Sequence, residues 1–392
     1  MEDIAYRSRN VRETLVELKN VSELAVDLGY AAALYGYPGL AEEVLELEAR
    51  AESLQYPATI ALMLAAKRST DAEQLVGIVQ IVGAAVDITN AAADIAGVVT
   101  SNGGVPREVR EALPEADEAI MRAVVHDACS VIGEPLGELA FETDSGVTVI
   151  AIRRGNEWDI DPDETVALEA GDTVIGSGPI AGLETVREML TGEATVSDET
   201  VDPEIDALDQ AAELVVDLKN ISELAVGLGY ASVLFGDADL ATEVRELEAQ
   251  SDRLKRDIET LVIEAGDQVR EPSQLRGLLY LATASEVICD AAVNIAEIVL
   301  RDGAVHPVFG QAIGESDELI TTTTVEQGST LTARTLGDLE LEEQTGMSIM
   351  AIHRGDDWVL APTGDEQLRP DDVLIARGPR EGRPLLRKWT GN

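Results

Sequence analysis

One fourteen-residue stretch occurs twice in this chain: LKNVSELAVDLGYA at residues 18–31 returns as LKNISELAVGLGYA at 218–231, changed only at Val21/Ile221 and Asp27/Gly227. The offset of 200 residues holds without insertion towards the end of each half, where Trp158 matches Trp358, Pro162 matches Pro362 and Gly178-Pro179 matches Gly378-Pro379. Chance similarity does not keep one register over most of a half-chain, so the sequence is a tandem duplication and both halves must fold alike. At 392 residues, with a change of texture inside each half, it divides into four domains of roughly 100 residues each.

In residues 11–35, Leu18, Val21, Ala25, Leu28 and Ala32 recur at three- and four-residue spacing, the mark of a helix with one buried face. Gly36-Tyr37-Pro38-Gly39 stops it. A second helix is expected over about 40–67, with Val44, Leu47, Ala51 and Leu54 inward, a run of glutamates outward and a bend or break at Pro57. A third, rich in Ala and Gly, spans about 71–100 and ends at Ser101-Asn102-Gly103-Gly104. Three long helices on short turns pack as an antiparallel bundle.

Near Glu108 the pattern changes. Strands are expected at Val124-Val125, 147–153, 157–160 and 173–177, with a turn at Gly155-Asn156 and helical pieces over 135–143 and 181–190, which together make a small α+β domain. Residues 192–206 are acidic and lack an apolar period, as a linker does. The second half repeats the programme, with helices over about 207–236, 239–267 and 272–301 and an α+β domain over about 315–390. The fold class is therefore α+β multidomain, with boundaries at 1–108, 109–192, a linker at 193–206, then 207–308 and 309–392.

Charge narrows the function. The net charge is −45, from 74 acidic against 29 basic residues, of which only five are lysine. Such a surface repels nucleic acid and itself at low salt. Few lysines, few aromatics and an ordinary aliphatic core fit a protein from a salt-in halophile, where molar KCl shortens the screening length to about 3 Å. Cys129 and Cys289 sit at unmatched positions of the repeat, which argues against a disulfide framework and for a reducing cytosol. The opening residues lack an apolar signal core. The longest apolar tract, 75–86, is shorter than the ~20 residues of a membrane span, so no transmembrane span is expected and any membrane association would be peripheral, through a partner.

The helical units, on SELAVDLGYA/SELAVGLGYA, LAEEVLELEARAESL/LATEVRELEAQSDRL and EVICDAAVNIAEIV, resemble PhoU domains, three-helix bundles known from regulators of phosphate uptake. The α+β units resemble RCK_C, the C-terminal domain of Trk-type potassium-uptake regulators. They do so on IGEPLGELAFETDSGVTVIAIRRGNEW and ETVALEAGDTVIGSGP, and on ARTLGDLELEEQTGMSIMAIHRGDDW and RPDDVLIARGP. The whole resembles a haloarchaeal-type potassium-transport regulatory protein.

These resemblances imply sites. PhoU-like proteins often hold divalent or iron-type metal ions through carboxylates four apart on a helix, which here are Glu48/Glu52, Glu248/Asp252 and Glu286/Asp290. Val86 and Asn90 replace the last pair in the first copy, and in so acidic a chain a solvated helix face is the competing reading. Domains of the RCK_C kind pair, and some bind cyclic di-AMP or a similar anionic nucleotide at the interface of the pair. Arg153 and Arg154, with His353 and Arg354, stand where a basic cluster would meet phosphates; the plain alternative is that they end a strand. There is no Gly-x-Gly-x-x-Gly fingerprint for NAD, no P-loop, and no histidine placed equivalently in both halves, so an enzyme is not expected. The implied function is a cytoplasmic regulatory or accessory protein of potassium transport. It would partner a membrane cation transporter or channel subunit, sense a ligand through paired α+β domains, and be pseudo-symmetric within the chain and open to homo-oligomerisation. The alternative is a metal-binding regulator of phosphate uptake whose α+β units serve only to dimerise.

Overall fold

The computed structural model describes residues 11–65, 69–100, 119–192, 206–266, 272–302 and 318–391, apart from a few isolated positions in the two smaller domains. The first half runs α1 (Val11–Tyr35), α2 (Pro38–Ala65), α3 (Ser69–Thr100), β1 (Ala119–Val124), α4 (Leu136–Leu139), α5 (Phe141–Ser145), β2 (Thr148–Arg154), β3 (Glu157–Ile160), β4 (Thr173–Gly178) and α6 (Ile180–Thr191). The second repeats it as α7 (Asp206–Phe235), α8 (Ala238–Ala265), α9 (Pro272–Asp302), β5 (Glu318–Thr324), α10 (Leu336–Leu339), α11 (Leu341–Thr345), β6 (Ser348–Arg354), β7 (Asp357–Leu360), β8 (Val373–Pro379) and α12 (Gly382–Thr390). Helical bundles thus alternate with small α+β domains, as the repeat implies. Apart from residue 206, the expected linker lies outside the described residues.

Four local expectations are corrected. The first strand, expected at Val124-Val125, runs over Ala119–Val124. α2 passes through Pro57 without a break. Ser53, whose carbonyl loses its amide partner there, is exposed, so water can satisfy it. The helical piece over 135–143 is two short helices, because Ala140 between them adopts the left-handed conformation at φ 48°. And the glutamates of α2 do not all face outward: Glu43 is 1% exposed.

Both bundles share one core. α3 and α9 lie against each other, α1 meets α7, and Leu28, Ile88 and Ile95 join Leu228, Ile288 and Ile295 in a single apolar cluster. α3 and α9 are long and apolar enough to cross a membrane by length and composition alone, but about half or more of each lies buried in this core. The repeated LGYA motif explains the close contact. A Cβ at Gly29 or Gly229 would come within 2.8 or 3.0 Å of the Ala92 or Ala292 carbonyl oxygen, so only glycine lets the first and third helices approach this closely. Each tyrosine that follows crosses to the other half: Tyr30 Oη lies 3.0 Å from Ser222 Oγ, and Tyr230 Oη lies 2.8 Å from Ser22 Oγ. Burial pushes both phenols well above their ordinary range, so they stay protonated hydrogen-bonding groups.

Each α+β domain is a four-stranded antiparallel sheet in the order β1-β4-β2-β3, or β5-β8-β6-β7. Strand alternation gives the sheet two apolar faces. Met121, Ala123, Ile152 and Val174 pack with Leu183 and Val186 of α6, whereas Ile120, Ile150, Trp158 and Ile160 lie against the bundle core. Among the described residues no strand of one sheet is hydrogen-bonded to the other, and the long helices join the two halves.

Candidate functional site

The end of β2 carries Arg153 and Arg154, and alternation sends their side chains to opposite faces, so they do not form one basic cluster. Arg153 turns to the bundle. Its Nε donates to Oε2 of Glu43 and its Nη2 to Oε1 at 2.7 Å, while Arg122 on β1 donates through Nε to the same Oε1 at 2.9 Å. The Arg153 guanidinium also lies 5.9 Å from the Trp158 ring centre. Burial raises the Glu43 carboxyl, but the two arginines outweigh it and hold it below its ordinary value. Glu43 thus fastens the first sheet to the N-terminal end of α2.

Arg154 turns inward to its own domain. Nε and Nη2 donate to the two oxygens of Asp172 at 2.8 and 2.7 Å, Nη2 also donates to the Ala167 carbonyl at 3.0 Å, and Asp172 accepts from the Glu169 amide at 2.8 Å. Arg354 repeats this with Asp372 at 2.8 and 2.9 Å, the Gln367 carbonyl at 2.9 Å and the Arg369 amide, and it adds Glu366 at 2.8 Å. The Arg-Gly that ends one strand and the Gly-Asp or Asp-Asp that precedes another are therefore two ends of one bidentate pair.

His353 replaces Arg153 in the second half. It stacks on Trp358 with ring centres 4.6 Å apart, and its Nδ1 lies 2.7 Å from Oε2 of Glu243, the counterpart of Glu43. Thr322 stands where Arg122 does, so this second fastening has one titratable cation in place of two permanent ones. Bonding to Glu243 raises the imidazole's pKa against the opposing effect of burial, and Glu246 adds to it. The sign follows: the stabilisation is complete below the free-histidine value near 6.5 and is lost as pH rises through the higher folded value. In an NMR titration, His353 is expected to titrate above 6.5. Protection of β6 and β7 from hydrogen exchange should fall across that step, and His353→Arg should remove the pH dependence. A titration at or below 6.5 would refute the fastening.

The carboxylate pairs are partly gathered. Burial, then Asp252, Asp290 and Glu286, raise the Glu248 carboxyl, and burial, then Glu52 and Asp94, raise Glu48. Asp94 was not anticipated from the sequence. Lys255 bonds Glu286, and Arg256 lies 3.5 Å from Asp252. Among the described residues no group of three or more His, Cys, Asp or Glu side chains is disposed to hold a metal ion. Both cysteines are free; burial pushes the Cys289 thiol up to about 11, which makes it a core residue rather than a nucleophile.

The sequence missed Glu43 and Glu243 because they sit among many helix glutamates. The signal was present, though: each falls one residue before an inward valine, at the edge of the apolar stripe.

Comparison with known proteins agrees with this architecture. The TrkA-C domain family matches twice, at residues 120–191 and 320–391, and the PhoU domain family matches residues 215–299. No curated protein matches the chain. Among solved structures it is similar to PhoU from Pseudomonas aeruginosa, at 15% identity over 74% of this chain and 93% of that one, with a TM-score of 0.42. The phosphate transport system regulatory protein PhoU from Streptococcus pneumoniae matches at 10% identity over 76% and 97%, with a TM-score of 0.40. The GsuK RCK domain matches at 12% identity over 80% and 79%, with a TM-score of 0.20. Both matched domain types are regulatory rather than catalytic in kind. The chain thus carries two TrkA-C domains and a PhoU domain, and its repeat extends the PhoU-like bundle to the first half.

Proposed function

We propose that this chain is a cytoplasmic accessory protein of a membrane cation transporter, of the potassium-uptake class, and that its TrkA-C domains sense an anionic nucleotide such as cyclic di-AMP and report it to the helical bundles. The observation that carries this reading is the ion-pair seam from Arg122 and Arg153 to Glu43, because it ties a candidate phosphate-binding residue directly to α2. A phosphate that takes the Arg153 guanidinium must take it from Glu43, and a buried carboxylate that loses a partner forces the helix end and the sheet to readjust. Ligand binding and domain seating are then one equilibrium. The −45 surface suits a cytoplasm of molar KCl, where its self-repulsion is screened.

Calorimetric titration of cyclic di-AMP in molar KCl tests this. Arg153→Ala with Arg154→Ala removes charge-assisted bonds worth about 1.5–3 kcal/mol each and should weaken binding at least tenfold. A titration without heat in the wild-type chain, or undiminished binding in a variant shown to be folded, would sink the sensing role. Recovery of the chain from a high-salt lysate, with identification of the membrane protein it retains, tests the partner.

A further inference from the structure

Both halves carry the same helix pair beneath a sheet, and a cleft opens where that pair meets the second sheet. Asp27 is one of the two differences in the fourteen-residue repeat, and its counterpart is Gly227. A Cβ placed on Gly227 would have no atom within 4 Å. The space is part of a cleft of about 580 Å³ between α1, α7 and the second sheet, reaching Asp161 of the first domain. That volume and its place at a junction of domains are those of a small-molecule site.

The lining has a definite chemistry. Phe235, Leu234, Val226, Ile320 and Met350 supply an apolar wall. The charged groups are Glu23, Asp27, Asp161 and Glu223 against Lys19 and Arg377, with Asn20 as a neutral polar neighbour. Lys19 is bonded to Glu23, and Lys219, next to the cleft, is bonded to Glu223 at 2.6 Å, so the acids left over are Asp27 and Asp161, set against Arg377. Acids outnumber cations, which disfavours a phosphate or carboxylate ligand. The apolar wall disfavours a bare inorganic cation, whose hydration shell would gain nothing there.

We propose that this cleft binds an organic cation, an amine or quaternary ammonium on an apolar body, with its charge at Asp27 and its body against Phe235 and Met350. The aromatic face of Phe235 suits such a group. Burial and then Glu223 push the Asp27 carboxyl well above the usual carboxylate range, Lys219 opposes this, and Glu23 adds to it. A bound cation reverses that balance and releases a proton, so the heat of binding must depend on the ionisation enthalpy of the buffer. The site is separate from the strand-end arginines and does not depend on what they bind.

Benzyltrimethylammonium is a suitable probe, with benzyl alcohol and benzenesulfonate as neutral and anionic controls, each titrated by calorimetry into the full chain in KCl. The cation is expected to bind saturably at one site, and both controls at least tenfold more weakly. Asp27→Asn should weaken the cation at least fivefold and abolish the buffer dependence. Gly227→Leu fills the cleft from a helix position where a leucine is tolerated, and should abolish binding while leaving the helical circular dichroism unchanged. The assignment is overturned if the cation shows no saturable binding, if benzenesulfonate binds as well as the cation, or if Asp27→Asn and a folded Gly227→Leu both leave its affinity unchanged. Loss or survival of cyclic di-AMP binding in the same variants bears only on the strand-end reading, so the two can fail separately.

Discussion

Replacing Arg122 and Arg153 together by alanine is expected to destabilise the seating of the first TrkA-C domain by about 3–5 kcal/mol, the usual consequence of leaving a buried charge without its partners. Glu43 is 1% exposed, and both arginines are less than a third exposed, so water cannot take over their role without opening the seam. Native-state hydrogen exchange at β1, β2 and the start of α2 reads this locally, which matters in a chain of several domains where one unfolding midpoint has no single meaning. Adding Glu43→Gln to the double variant should restore much of the loss, because the stranded charge disappears with its carboxylate. A cost below about 1 kcal/mol, or no rescue, would show that the ion pairs form in the surface regime instead.

Asp372→Ala should have a comparable effect of about 3 kcal/mol, confined to the second TrkA-C domain. Asp372 is 1% exposed and accepts from Arg354 twice and from the Arg369 amide once, so its loss strands a guanidinium and a backbone donor together. Arg354 retains Glu366, which keeps the effect from being larger. The six long helices share a core to which the second sheet contributes Ala351 and Ile375; they should keep their thermal transition, while the near-ultraviolet signal of Trp358 and Trp389, which belong to the affected domain, should change. Asp372→Asn should cost less, since an amide can still accept from Arg369. If the helices melt with the domain, the two units are more tightly coupled than their cores indicate.

The two effects differ in how far they could be foreseen. Arg154 and Asp172 recur as Arg354 and Asp372 at the same spacing, each arginine followed by glycine, so the repeat singles out these residues even without showing that they bond. The Glu43 seam gives no such cue. Arg153 and Arg154 read as one basic pair on paper, and the two-residue period of a strand separates them, one towards the bundle and one into its own domain. Only the docking of the sheet shows which carboxylate each one meets.

The sequence by itself determined the duplication, the six long helices to within about two residues, the later three strands of the first sheet and the alternation of bundle with sheet. These follow from short-range periodicity and from turn residues that act within one or two helical turns. Tertiary structure alone decided that the bundles merge into one core, that α2 continues through Pro57, that Glu43 is buried while Glu42 and Glu46 are exposed, and that Asp27 and Gly227 line one cleft. The reason is physical. Whether a charge is buried, paired or left facing a cleft depends on what packs over it from elements more than a hundred residues away, and a pattern local to the chain carries no record of that contact.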